Sequence, residues 1–151
     1  MKELTIYLVL LLMVAGGCKK YDEGPLISLR SKEARLCREW KLEKYTLNDE
    51  TFDETSSFIW KIEKSGIIHL TLTIDTHEET AKSEWQWADN KESIEIKPFE
   101  KKSGLISIFV DNKKDLSEEW SKFRIMKLTS KEFILEATED NDNIRFEFIE
   151  K

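Results

Sequence analysis

The side chains in this sequence that could do chemistry are few and scattered. There are two histidines, His69 and His77, and two cysteines, Cys18 and Cys37. On one extended strand the histidines would stand roughly 26 Å apart, at about 3.3 Å per residue. Zinc requires each nitrogen within about 2.0–2.1 Å of the ion, so the pair shares a metal only if the chain folds back between them. Asp75-Thr76-His77-Glu78-Glu79 gathers donors but reads as the solvated end of a hairpin. Asp140-Asn141-Asp142-Asn143 suggests calcium, yet the glycine and the closing glutamate of a helix-loop-helix calcium loop are missing. With 30 acidic residues, some carboxylates will fall about 5–9 Å apart by chance, so spacing alone assigns no glycosidase chemistry. No nucleophile elbow, phosphate loop or Cys–His arrangement occurs. Cys37, between Leu36 and Arg38, has no histidine near it in sequence and reads as a structural thiol. The sequence therefore assigns no catalytic residue, no metal ligand and no cofactor, and an enzyme is not expected.

Cys18 differs because of what precedes it. Met1-Lys2-Glu3 is followed by an apolar run from Leu4 to Ala15, broken only by Thr5, and then by Gly16 and Gly17. This is the layout of a secretory signal. A membrane-spanning helix needs about 20 apolar residues, and the run 4–15 would make a helix only roughly 18 Å long. Ala15-Gly16-Gly17-Cys18 resembles the lipobox of bacterial lipoproteins. That resemblance implies a signal peptide over residues 1–17, a diacylglycerol on the Cys18 thiol, and an acyl chain such as palmitate on the new amine. The membrane partner is then met through Cys18: one chain binds marginally, whereas two or three hold firmly. In such lipoproteins an Asp after the cysteine favours inner-membrane retention. Lys19 stands there, so the expectation is a cell-envelope protein of the outer membrane, with the periplasmic face and the cell surface both open.

The remaining length suits one domain able to bury a sizeable core. The net charge of −6, the pI near 5.1 and the interleaving of lysine with glutamate exclude a nucleic-acid partner. With Cys18 lipidated, Cys37 has no disulfide partner, so the core must hold the fold unaided.

The elements that position these residues are read from periodicity. Residues 18–30, with Gly24 and Pro25, read as the lipidated cysteine and a flexible tether reaching up to about 40 Å. Ser31 offers an N-cap to a short helix over Ser31–Cys37. From Trp40 the period becomes two. Trp40 and Leu42 alternate with charged neighbours; Tyr45 and Leu47 then take over, which implies a bulge. Phe58, Trp60 and Ile62 form one stripe, Ile68, Leu70, Leu72 and Ile74 the cleanest. Trp85 and Trp87, Ile94 and Ile96, the strand Lys122–Leu128, then Phe133, Leu135 and Ala137, and finally Ile144, Phe146 and Phe148 continue the pattern. Leu105–Val110 is apolar on both faces, and Leu116–Ser121 reads as a helical turn. Asn48-Asp49, Ser65-Gly66, Asp89-Asn90, Ser103-Gly104, Asp111-Asn112 and Asp140–Asn143 supply turns. About nine short runs joined by short turns predict an all-β fold, an antiparallel up-and-down barrel of about eight strands after a short N-terminal helix.

Ala34-Arg35-Leu36-Cys37-Arg38-Glu39-Trp40-Lys41-Leu42 resembles the opening of lipocalin-like domains in small Gram-negative lipoproteins, where a helical turn leads into a first strand carrying a Trp. Trp85-Gln86-Trp87, Ile125-Met126-Lys127-Leu128-Thr129-Ser130-Lys131-Glu132 and the closing Arg145-Phe146-Glu147-Phe148 are similar too, so the likeness covers most of residues 31–151. It implies a binding or accessory domain, and an arginine packed across Trp40, for which Arg124 and Arg145 are the candidates. The inward stripes hold an unusual share of the five Trp and eight Phe. If they line a cavity, Trp60, Leu70, Leu72, Trp85 and Trp87 are its walls, and a small apolar molecule or a sugar ring is its ligand. If the rings fill the barrel, the role is structural or a protein contact. Cys18→Ala should abolish metabolic labelling with a fatty acid and release the protein from membranes; unchanged labelling would sink the lipoprotein reading.

Overall fold

The computed structural model describes residues 21, 30–52, 57–99, 120–139 and 142–151. The signal segment, Cys18, most of the expected tether, the turns at 103–104 and 111–112, residues 140–141, the stretch Leu105–Val110 and the first four residues of the turn expected over Leu116–Ser121 lie outside the described residues; Ser121 itself opens a strand and not a helical turn.

Helix α1, Lys32–Leu36, starts where expected: the Ser31 side chain accepts from the Ala34 backbone N–H at 3.1 Å, with Glu33 in the first turn. Nine strands follow among the described residues: β1 Glu39–Leu47, β2 Glu50–Phe52, β3 Ser57–Ile62, β4 Ile67–Ile74, β5 His77–Ala88, β6 Ser93–Ile96, β7 Ser121–Leu128, β8 Glu132–Glu139 and β9 Asp142–Glu150. All neighbours are antiparallel, and β1 also pairs with β9. Eight strands thus close a barrel, and β2 is an extra strand folded back on the far end of β1.

The turns obey local sterics. Asn48 and Asp49 both have positive φ, 49° and 67°, as a two-residue type I′ hairpin requires. Gly66 has φ 86°, and a Cβ there would stand 3.3 Å from the Trp85 carbonyl oxygen, so only glycine suits the β3–β4 turn. Asp89, Asn90 and Lys91 are all left-handed, within a single 3₁₀ turn between β5 and β6.

Two bulges keep the apolar faces in register. One, between Leu42 and Lys44 on β1, lets Trp40, Leu42 and Tyr45 all join the core although their spacing breaks period two. The other lies between Ile125 and Lys127 on β7. Strand β5 is much longer than the Trp85-Trp87 stripe suggested. Its first half is inconspicuous because its inward residues, Ala81 and Ser83, are small. They stand opposite Leu70 and Ile68 and leave room for the rings.

Those rings form a column along the barrel. Trp40 contacts Phe133 at 5.4 Å, Phe133 contacts Phe148 at 5.6 Å, Phe148 contacts Trp60 at 4.9 Å, Trp60 contacts Phe146 at 6.2 Å, and Phe146 contacts Tyr45 at 5.2 Å. The separations fall in the favourable range for tilted or offset pairs. At the end carrying α1 the barrel is capped: Leu36 and Trp40 are wholly buried, and the Trp40 indole N–H donates to the Leu36 carbonyl at 2.9 Å. Neither arginine put forward from sequence reaches Trp40. Arg124 is exposed. Arg145 stands opposite Thr46, whereas Trp40 stands opposite Glu150, and Arg145 pairs with Glu136 and Glu147. The buried guanidinium at the capped end belongs to Arg35, which donates to the Leu128 carbonyl at 2.6 Å.

Trp40→Ala should remove about 3–5 kcal/mol of stability, read as a lower denaturant midpoint. A midpoint within error of the parent would show that Trp40 does not support the core.

Candidate functional site

The barrel has two unlike ends. The capped end gathers α1 and the turns 63–66, 89–92 and 129–131. The opposite end, the mouth, gathers the turns after β1 and β4, the start of β7 and the start of β9. There Tyr45, Ile74, Phe123 and Phe146 are only half-buried while packed against the core. Phe146 is the hub, 5.2 Å from the Tyr45 ring and 6.2 Å from Phe123. Burial, and after it the Asp142 carboxylate, raises the Tyr45 hydroxyl above the usual tyrosine range, so it stays neutral at neutral pH. Glu79 shares the inner face of β5 with Ala81 and Ser83 and is half-buried near the same end.

One ring below lies Trp60, 3% exposed. Phe58, Phe99, Phe146 and Phe148 surround it at 4.9–6.3 Å. Its indole N–H is buried and has no hydrogen-bond partner among the described residues. Leaving such a donor unmatched costs about 1–3 kcal/mol, so an acceptor reaching it would recover most of that.

The five residues expected to line one cavity all contribute to the core. Leu70 pairs with Trp60 across the β3–β4 ladder, and Leu72 with Phe58. Trp85 and Trp87 lie toward the other end: the Trp85 indole donates to the Glu63 carbonyl at 2.9 Å, and Lys91 caps the Trp87 ring at 5.5 Å. The structure therefore brings Trp60, Leu70 and Leu72 together under the mouth and leaves the Trp85–Trp87 pair, 5.4 Å apart edge to face, near the capped end. Periodicity does not mark Tyr45, Phe123 and Phe146 as mouth residues. Phe146 stood in a recognised stripe, but alternation gives the face of a strand and not the height along the barrel.

The histidines do not meet. His69 faces outward, with Nε2 3.4 Å from the Glu63 carboxylate. It pairs with Lys82, while His77 pairs with Ile74, which sets them five rungs apart on adjacent strands. Among the described residues, no three His, Cys, Asp or Glu side chains group as metal ligands. Cys37 caps the C-terminus of α1 and is half-buried.

No protein-family model and no curated protein sequence matches the chain. Two solved structures do match in fold. One is a lipocalin-like protein from Bacteroides uniformis, TM-score 0.57 and 16% identical, covering 78% of this chain and 99% of that one. The fold is lipocalin-like. The other is an uncharacterized protein from Bacteroides eggerthii, TM-score 0.53 and 14% identical, covering 76% of this chain and 98% of its own. In this lipocalin-like barrel, the aromatic mouth over Trp60 is the candidate site.

Cys37 serves as a chemical check. Burial, with Glu33 adding and Lys64 opposing, pushes its thiol up to about 11 from 9.0. The thiolate is the reactive form, so at pH 8 iodoacetamide should alkylate Cys37 about 100-fold more slowly than an unshifted thiol. The rate should climb with pH to a midpoint near 11. Fast alkylation at neutral pH would mark Cys37 as activated after all.

Proposed function

We propose that this protein is a membrane-anchored binding protein of the cell envelope whose barrel mouth takes a small, mostly apolar ligand carrying one hydrogen-bond acceptor. The observation that carries the reading is the unmatched Trp60 indole N–H beneath a half-exposed cluster of rings. Ligand sites in barrels favour the mouth, where apolar walls supply affinity and a few polar groups set orientation. Tyr45, Phe123 and Phe146 offer flat surfaces for an aromatic ring or the apolar face of a sugar; Trp60 offers the donor. The anchor is the lipid on Cys18, and the outer membrane is its location, on the strength of the lipobox resemblance and of Lys19. This reading uses no catalytic group.

A second reading has its own support. The ring column fills the barrel from Trp40 to Tyr45, which suits a structural or protein-contact role without any small ligand.

Titration of the protein with an aromatic ketone and with the matching hydrocarbon separates the two. Saturable changes in tryptophan fluorescence are expected with both. Trp60→Phe keeps an aromatic ring, though a smaller one, and removes the N–H, so it should weaken the ketone relative to the hydrocarbon by about 3–10-fold, the worth of about one hydrogen bond. Any effect of the lost ring volume should fall on both probes alike, so the ketone-to-hydrocarbon ratio is the readout. Saturation by neither probe would favour the filled, structural barrel.

A further inference from the structure

Tyr21 lies in the segment expected to be a free tether, only three residues after Cys18. It is 5% exposed and belongs to the core cluster. Its hydroxyl donates to the Lys91 carbonyl at 3.0 Å. Lys32 covers its ring at 4.8 Å and donates to the same carbonyl at 2.9 Å. Tyr21 is thus fastened to the β5–β6 turn, at the capped end of the barrel. Three residues of extended chain span roughly 10 Å, so a lipid on Cys18 would bring that end to within roughly 10 Å of the membrane. That is about one Debye length at physiological salt, the range over which surface charges still act. A free tether of a dozen residues would let the barrel drift beyond it.

Charge follows the same axis. Each turn of the capped end presents an exposed lysine: Lys64 between β3 and β4, Lys91 between β5 and β6, and Lys131 between β7 and β8. None of the three is ion-paired to a carboxylate among the described residues. Most carboxylates at that end are already engaged, Glu39 with Lys151, Glu63 with Lys61, Asp89 with Lys122, Glu132 with Lys127 and Glu150 with Arg38. Glu33 and Glu92 remain. The mouth presents the opposite sign through exposed Asp49, Glu50, Asp75, Glu78 and Asp142.

We propose that the capped end is a membrane-docking face: Tyr21 shortens the tether, the turn lysines meet anionic lipid headgroups, and the mouth is held pointing away from the bilayer. The proposal rests on lipidation of Cys18. In this orientation an acidic mouth faces the aqueous compartment and meets its ligand there, not in the lipid.

The test uses the full-length lipidated protein on phosphatidylglycerol-containing vesicles. In a Cys37→Ser background, a single fluorophore is placed through Ser65→Cys at the capped end or through Thr76→Cys at the mouth end. These sites flank the same strand, β4, and lie roughly 30 Å apart at about 3.3 Å per residue. Energy transfer to an acceptor dye in the bilayer should be several-fold stronger from position 65 than from position 76. The difference should shrink in Tyr21→Ala, and on vesicles of phosphatidylcholine alone. Equal transfer from both sites, or stronger transfer from position 76, with the protein still on the vesicles would overturn the orientation alone. Failure of the parent protein to sediment with vesicles would overturn the anchor and the orientation together. If Tyr21→Ala does not fold, the ordering of the two labels in the parent chain still decides.

Discussion

The barrel depends on one ladder, the pairing of β1 with β9. Without it the eight strands would be an open sheet with two unpaired edges, which invite pairing with other chains. With it, each of the eight barrel strands has two neighbours and the inner face encloses the core. The ladder also sets the ring column, since Trp40 and Tyr45 come from β1 and Phe146 and Phe148 from β9. Those four rings pack along the inside of the closing seam, so hydrogen bonding and apolar burial fall on the same line. At the mouth, Asn48 ties the seam off: its side-chain amide donates to Asp142 at 2.7 Å and its side-chain oxygen accepts from the Asn143 backbone at 2.8 Å.

The same closure explains the matching of large and small residues. A closed eight-stranded barrel has a fixed interior, so a column of Trp and Phe leaves little space for bulk on the opposite wall. Ala81 and Ser83 on β5 answer that constraint. Ser83 is buried, and its hydroxyl donates to the Lys97 carbonyl at 2.5 Å, so the small polar side chain costs little there. Trp60 is the contrasting case. It is held by four rings, none of which can accept its N–H in the conventional way, and among the described residues its polar atom has no partner.

Much of this was legible in the sequence. Strict alternation at Phe58–Ile62 and Ile68–Ile74 fixed which side chains face inward, because a period of two admits one face only. The shift of phase after Leu42 marked the bulge, and Asn48-Asp49 marked a hairpin, since both residues tolerate left-handed backbone. What could not be read was anything set by tertiary packing. The first half of β5 lacks an apolar stripe because its neighbours need it thin. Arg35, one of five charged residues between Ser31 and Trp40, carried no sign of burial. Tyr21 sat in a run with no periodicity. Local pattern could not separate Phe146 at the mouth from Phe148 in the middle of the barrel, as height depends on strand tilt and stagger.

The wall of the barrel is not of even strength. β4 and β5 are zipped by eight residue pairs and β1 and β9 by seven, whereas β6 joins each of its neighbours by only four and β3 joins β1 by only three. Native proteins open first where the fewest backbone bonds must break. The barrel is therefore strong along β9–β1 and β4–β5, and weak at two places, between β1 and β3 and on either side of β6. Local opening is favoured at these places, by β5 and β7 parting around β6 or by β3 leaving β1. A molecule too large for the mouth would find its easiest way in through the flank, and amide protons on Ile94 and Ile96 would exchange with solvent well before those on Leu70 and Leu72.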